Sequence, residues 1–395
     1  MSTQVGADHS AAENPFGIPP RIQLMNEAGE VSQHEIFSSY LEDVDGEVLK
    51  KLFRQMMVTR RVDDEATSLQ RQGEMALWAS CRGQEAAQVG SGFAYAPNDY
   101  IFPSYREHAL AHTRGVDFGE LLQVFRGSAT LGWDAKKHNF HAYTLVLAAQ
   151  VPHAVGYAMG LNFDADIEEQ TGVPQTGQGQ VTDPSKDGAR PAVAVYFGDG
   201  SSTEGEVHES MVFAASYNAP VLFFVQNNQW AISVPFSTQS RVPVSTRAAG
   251  YGFEGLRVDG NDVLAVIAAT RYALEKIRAG EGPVLIEAET YRLNAHTTAD
   301  DPSRYQAPEM LEAAQAKDPV VRLEKYLRQQ GLADDDFFES VKAEAEQTAR
   351  QTRASLLASE PRDLDELMGA VYAEPHLQVE TDRAFFREYM DGFED

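Results

Sequence analysis

The sequence predicts an α/β fold, a mostly parallel sheet flanked by helices, with an N-terminal arm and a helical C-terminal extension. Three observations carry this. Short apolar runs alternate with helix-length segments between residues 191 and 293, which implies parallel strands joined by crossover helices. The clearest runs, "PAVAVYF" and "PVLFFVQ", are continuous rather than alternating, as in strands buried on both faces. The last third of the chain, by contrast, carries only helical patterns.

Taken in order, residues 1–45 form the arm. Its start, "MSTQVGADHSAAENPFGIPP", lacks the basic opening and apolar core of a secretory leader and reads as mobile. Residues 46–315 form the main domain. Within 47–72, Val48/Leu49, Leu52/Phe53 and Met56/Met57 recur at helical spacing. Further helices are expected at 83–96, in the latter part of 99–115, and at 148–161, where Ala and Gly allow close packing. Residues 166–190 are polar, rich in Gly and Pro and aperiodic, and read as an exposed loop prone to disorder. That loop holds Gly177-Gln178-Gly179, but no third glycine follows at dinucleotide spacing and no strand precedes it. Strands at 191–197, 220–226, 253–262 and 282–293 then alternate with helices at 206–218 and 262–280. Residues 316–395 form the helical extension, with Asp318 as N-cap, Pro319 at the first helical position and Gly331 as a stop.

Composition narrows the function. The 395 residues carry a formal charge of −26, which repels phosphate backbones and argues against general nucleic-acid binding. No apolar run approaches the roughly 18 residues that span a membrane. The single cysteine, Cys81, rules out an internal disulfide and fits a cytoplasmic protein. With no nucleophile motif around it, Cys81 reads as a small buried residue.

The chemistry sits in "GDGSSTEGEVHESMVFAASYNAPVLFFVQNN", Gly198 to Asn228. Ligands of an open parallel sheet bind outside the carboxyl ends of its strands. One strand delivers Gly198-Asp199-Gly200 to that edge and the next delivers Asn227-Asn228, with 26 residues between Gly200 and Asn227. That interval is about one crossover helix, so a carboxylate and an amide oxygen meet at one edge. Mg²⁺ takes six oxygens, commonly one or two carboxylates completed by phosphates and water. The flanking glycines admit a close phosphate, and a helix starting near Ser202 would aim N–H groups at it. The residues therefore point to Mg²⁺ and a diphosphate bound together. A bare turn is the simpler reading of a lone Gly-Asp-Gly; the two buried strands and the terminal asparagines outweigh it.

This segment resembles a thiamine-diphosphate motif. Together with "RGQEAAQVG", "FPSYRE", "NNQWAIS", "RVDGNDVLAV", "LIEAETYR" and "AHTTADDPSRY", the chain resembles the alpha subunit of the decarboxylating component of 2-oxo acid dehydrogenase complexes, over about residues 45–375. The resemblance implies a thiamine-diphosphate-binding fold, with Mg²⁺ on Asp199, Asn228 and the carbonyl of Trp230. It implies diphosphate contacts from Gly200, Ser201 and Arg106, with Tyr105 also reaching the cofactor. It places the Leu147 main chain near the aminopyrimidine and His296 at the reacting carbon. Taken alone, His296 would read as a surface histidine. Two departures stand out. Gln226 occupies a cofactor-binding position that is often basic, and Thr297 stands where animal members carry a phosphorylated serine.

The implied activity is that of an oxidoreductase on the oxo group of a donor, with lipoamide as the disulfide acceptor. A 2-oxo acid is decarboxylated and its acyl unit passes to a lipoyl group. Branched-chain 2-oxo acids of the 2-oxoisovalerate type are the expected substrates, with pyruvate the alternative. The implied partners are a beta subunit, in two copies beside two alpha chains, and a lipoyl-bearing acyltransferase. Readings from other classes are a Mg²⁺-dependent phosphohydrolase using Asp199 and a non-catalytic scaffold subunit.

Overall fold

The computed structural model describes residue 14 and residues 16–129, 131–172, 190–360, 363–369 and 372–393. Six strands form one sheet: β1 (Arg21–Ile22), β2 (Tyr100–Phe102), β3 (Val193–Gly198), β4 (Val221–Asn227), β5 (Glu254–Asp259) and β6 (Val284–Glu289). Their order is β1-β5-β6-β4-β3-β2, and every neighbouring pair is parallel. The central strands are buried on both faces, which is why their sequences are continuous apolar runs. Tyr196 and Phe224 face one core cluster, while Val195, Phe197, Phe223 and Val225 face the other.

Helices cover both sides. The long helix α1 (Gly46–Arg71) starts at Asp45, whose carboxylate accepts from the Glu47 and Val48 amides. Helices α2 (Glu85–Ala94) and α3 (His108–Thr113) lie in the same half of the chain. Helix α4 (Gln150–Thr171) buries Val151, Ala154, Val155 and Ala158. It outlasts the sequence expectation, because the expected loop at 166–190 begins as its last turns and the helix stops only at Gly172, φ 67°. The tail "ADIEEQT" is composed largely of good or neutral helix formers and is exposed all round, so composition hid it. Residues 173–189, with Gly177-Gln178-Gly179, lie outside the described residues, as does most of the stretch before Phe16 that reads as mobile.

Helix α5 (Gly205–Ser216) crosses from β3 to β4, and α6 (Val263–Arg278) from β5 to β6. Helices α7 (Pro319–Gln329), α8 (Asp335–Ala358) and α9 (Leu377–Asp391) follow, all within the extension that the sequence reads as helical. Asp318 caps α7 as its sequence suggested, accepting from Val320 and Val321. The extension joins the main core rather than standing apart. Phe338 packs edge-on against Phe53 with centroids 5.2 Å apart, and Arg60 bonds both Glu85 and Asp318, tying α1, α2 and α7 together. From residue 21 the arm is also integral. Leu24 and Met25 are buried, and both their amides donate to the buried Asp262 carboxylate at 2.6 Å.

Candidate active site

Strands β3 and β4 are neighbours in register, with Gly198 opposite Gln226, so the turns after them open at one edge. A pocket of about 340 Å³ lies there. Its lining includes Tyr105, Arg106, Leu147, Asp199, Gly200, Ser201, Gln226, Asn228, Trp230 and His296, which is every residue nominated from the sequence. The chain thus brings together groups almost 200 positions apart.

At the sheet edge, Asp199 is buried. Its Oδ2 accepts from Gln239 Nε2 at 3.1 Å, while Oδ1 has no hydrogen-bond partner among the described residues. Burial pushes its carboxyl up to about 6. An orphaned, buried carboxylate oxygen is costly unless a cation or donor joins it. Asn228 presents its Oδ1 to the Trp230 amide at 3.2 Å. Its neighbour Asn227 turns away and donates to the buried Glu287 at 2.7 Å, so the asparagine pair divides into one site residue and one structural one. Gln229 and Ile232 hold the chain in the left-handed region, at φ 73° and 54°. That is unusual for a β-branched residue and marks strain at this turn. Arg292, fully buried, fixes the turn by donating to the Ile232 carbonyl at 2.7 Å. These oxygens fit a hard cation, but no group of three His, Cys, Asp or Glu is placed to hold a metal ion among the described residues. Any such ion would need ligands from elsewhere.

The turn after β3 differs from expectation. The helix after β3 starts at Gly205, not near Ser202, because Ser201–Thr203 form a 3₁₀ turn. That turn uses the amides of Ser202, Thr203 and Glu204 internally, which leaves those of Gly200 and Ser201 for a ligand. A side chain at Gly200 would meet Ala231 Cβ at 2.9 Å, so the turn requires glycine. Arg106, 5% exposed, donates to the carbonyls of Ser80 (2.6 Å) and His296 (3.0 Å). A guanidinium has five N–H donors, so more remain for phosphate oxygens. Gln226 is less available. Its amide oxygen accepts from Gln88 at 3.0 Å and its nitrogen donates to buried Glu107 at 2.6 Å.

His296 lies across the pocket, with Nε2 3.2 Å from the Tyr105 hydroxyl. Burial, reinforced by Arg106 and Arg292, pulls its pKa down to about 4. The imidazole is therefore neutral near pH 7. Its backbone amide donates to Asp300 at 2.9 Å, and Tyr305 links Asp300 to Arg292. Sequence reasoning missed Gln84, Glu107 and Gln239, which also line the pocket. Gln84 and Glu107 fall inside the segments "RGQEAAQVG" and "FPSYRE" without a chemistry of their own legible there, and Gln239 lies in no such segment.

Behind the pocket, His108 stacks on Trp78 with centroids 4.2 Å apart, and its Nε2 donates to the Ala79 carbonyl at 2.8 Å. Burial pulls its pKa down to about 3. The folded state thus binds this proton less readily than the unfolded chain does. The resulting stability is present above about pH 6.5 and is lost as pH falls toward 3. His108→Gln keeps a donor without the charge. Between pH 6.5 and 5, wild type should lose about 2 kcal/mol more than this variant, checked by urea unfolding at both pH values. Cys81 is buried and burial pushes its thiol well up, in keeping with a packing role.

Comparison with known proteins supplies the family. Residues 54–355 match the family described as "Dehydrogenase E1 component". The chain is 40% identical over 347 residues to a 3-methyl-2-oxobutanoate dehydrogenase subunit alpha from Mycobacterium tuberculosis, covering 87% of this chain and 88% of that one. It is 33% identical over 353 residues to a pyruvate dehydrogenase E1 component subunit alpha from Bacillus cereus, covering 89% and 88%. A Staphylococcus aureus protein of the same description is 33% identical over 364 residues, covering 89% and 91%. With the family matched across most of its length and the pocket assembled at the sheet edge, the chain belongs to the dehydrogenase E1 component family.

Proposed function

We propose that this chain is the alpha subunit of a branched-chain 2-oxo acid dehydrogenase, an oxidoreductase that decarboxylates a 2-oxoisovalerate-type substrate and passes the acyl unit to lipoamide. The observation that carries the reading is the convergence of Asp199, Asn228, Arg106 and His296 on one pocket in a chain of this family. The branched-chain choice rests on the higher identity to the mycobacterial relative. Pyruvate is the second reading, supported by the Bacillus and Staphylococcus relatives.

Thiamine diphosphate, when bound, supplies a carbanion and an electron sink for releasing CO₂ from the 2-oxo acid. The chain's own residues bind and orient. Asp199 Oδ1, Asn228 Oδ1 and the Trp230 carbonyl would hold Mg²⁺, and the orphaned oxygen of Asp199 supports that assignment. The Gly200 and Ser201 amides and Arg106 would hold the diphosphate. Because Arg106 also grips the His296 carbonyl, the group that senses the diphosphate positions the histidine loop. Neutral His296 has one N–H and one lone pair, so it can give or take a hydrogen bond at the substrate oxygen. Gln226 is neutral and keeps its amide on Gln88 and Glu107, so it brings no charge to the diphosphate subsite.

The pocket is open on one side. Leu147, Ile232 and Val234 line it and are exposed, and Leu145 and Val146 beside Leu147 are exposed too, an apolar rim that suits a covering chain. A beta subunit, in an assembly of two alpha and two beta chains, would close it and complete the substrate cavity. The lipoyl-bearing acyltransferase would then receive the acyl unit. A cytoplasmic location is in keeping with the single buried cysteine. No helix among the described residues is long and apolar enough to cross a membrane.

Co-expression with the beta chain and decarboxylation assays on 3-methyl-2-oxobutanoate, pyruvate and 2-oxoglutarate test the proposal. The highest kcat/KM is expected on 3-methyl-2-oxobutanoate. A preference for pyruvate of about tenfold or more, equivalent to about 1.4 kcal/mol in the transition state, would replace the branched-chain reading. Release of phosphate from a generic ester without thiamine diphosphate would support a phosphohydrolase instead.

A further inference from the structure

The loop carrying His296 is a thin wall. The catalytic pocket lies on one side, and a second cleft of about 690 Å³ lies on the other, lined by Trp78, Ser80, Asn294, Thr297 and Thr298 among others. A segment flanked by two cavities gets its position mainly from hydrogen bonds, because neither side is packed solid. Those bonds lead to residues 78–82. The Thr298 amide donates to the Trp78 carbonyl at 3.0 Å, and Thr298 Oγ1 accepts from the Trp78 amide at 3.1 Å. On the other side of His296, Asn294 Nδ2 donates to Ser80 Oγ at 2.9 Å.

Ser80 is the junction. Its hydroxyl donates to Oδ2 of Asp63, a buried carboxylate on α1 that also accepts from Trp78 Nε1 at 2.7 Å. A hydroxyl has one hydrogen. With that hydrogen on Asp63, Ser80 Oγ only accepts from its other neighbours, the Arg82 amide at 3.2 Å and Asn294. The direction of the chain is thereby fixed: Asn294 donates to Ser80, and Ser80 donates to Asp63. The Ser80 carbonyl meanwhile takes one arm of Arg106, whose other arm holds the His296 carbonyl.

We propose that Asn294, acting through Ser80 and Asp63, is a positioning residue that holds the His296 loop in its working place before any cofactor arrives. The proposal rests on His296 being a site residue; the clamp itself does not depend on what His296 does. None of the three residues lines the catalytic pocket, so their role is indirect.

The test compares Asn294→Ala and Asn294→Asp in the alpha–beta complex. Arg304, whose side chain is 83% exposed, offers a trypsin site just beyond the loop. In cofactor-free enzyme, Asn294→Ala should speed cleavage after Arg304 about fivefold, the effect of losing one hydrogen bond. Asn294→Asp nearly preserves shape but replaces the donor with a carboxylate facing the Ser80–Asp63 pair. It should speed cleavage about 20-fold or more. Apparent affinity for thiamine diphosphate should fall in the same order, while kcat at saturating cofactor stays within about twofold. Cleavage of both variants at the wild-type rate would overturn the clamp. Asn294→Asp behaving no worse than Asn294→Ala would overturn its direction. If His296→Ala left acyl transfer intact while these cleavage rates still rose, the clamp would stand and the role of His296 would fall.

Discussion

Replacing Asp199 with asparagine is expected to abolish metal-dependent binding of thiamine diphosphate while leaving the fold intact. The side chain keeps its size, and an amide oxygen still accepts from Gln239. The negative charge that would meet Mg²⁺ is gone. Residues that only hydrogen-bond to metal ligands are already worth about 10–100-fold in affinity, so loss of a direct ligand should cost roughly 100-fold or more. Stability should move the other way. Burial raises the Asp199 carboxyl to about 6, so at pH 7 the cofactor-free protein carries an ionised group in a site that disfavours it. The neutral amide would remove that burden. The cofactor-free variant should melt at the same temperature as wild type or higher, but gain nothing when thiamine diphosphate and Mg²⁺ are added. Thermal melts with and without both ligands check this. A variant that melts lower and still gains from the ligands would take Asp199 out of the metal site.

His296→Ala should separate binding from chemistry. The imidazole touches the Tyr105 hydroxyl and is neutral, so it contributes no charge to the diphosphate. Cofactor affinity should therefore change by about threefold or less. Acyl transfer to lipoamide should slow by about 10²–10⁴-fold, the usual range for a lost general acid or base. Wild-type turnover would remove His296 from the reaction. The pH response adds a check. With burial as the leading cause and Arg106 and Arg292 beside it, the imidazole should stay unprotonated down to about pH 5 in the cofactor-free enzyme. Imidazole NMR shifts followed from about pH 8 to about pH 4 report it directly.

The parts of the site legible in the sequence were those whose chemistry is local. "PAVAVYF" and "PVLFFVQ" read as buried strands because they are buried on both faces, and the turns after them had to share an edge. His296 and Tyr105 have no such local signal and entered through the family resemblance. Three other features were hidden for physical reasons. Arm residues Leu24 and Met25 join the core through a two-residue strand and a buried carboxylate more than 230 positions away, and no periodicity marks so short an element. Helix α4 runs on through a polar, fully exposed tail that lacks an apolar stripe. Gln239 reaches Asp199 from the four-residue helix Phe236–Gln239, which follows a short antiparallel hairpin of Trp230–Ala231 with Val234–Pro235 around the strained Ile232. The helical pattern at 206–218 matches α5, whereas the helix start near Ser202 that the phosphate argument uses is a 3₁₀ turn at Ser201–Thr203. The difference bears on the proposed diphosphate site, since the amides left for it are those of Gly200 and Ser201 rather than a helix end.

The most direct measurement is a calorimetric titration of thiamine diphosphate into the reconstituted alpha–beta complex, first with Mg²⁺ and then with a chelator. Saturable binding that disappears with the chelator, and is missing from the Asp199→Asn complex even with Mg²⁺, is expected if Asp199 and Asn228 hold the metal and diphosphate together. Equal binding with and without Mg²⁺, or binding untouched by Asp199→Asn, would contradict it.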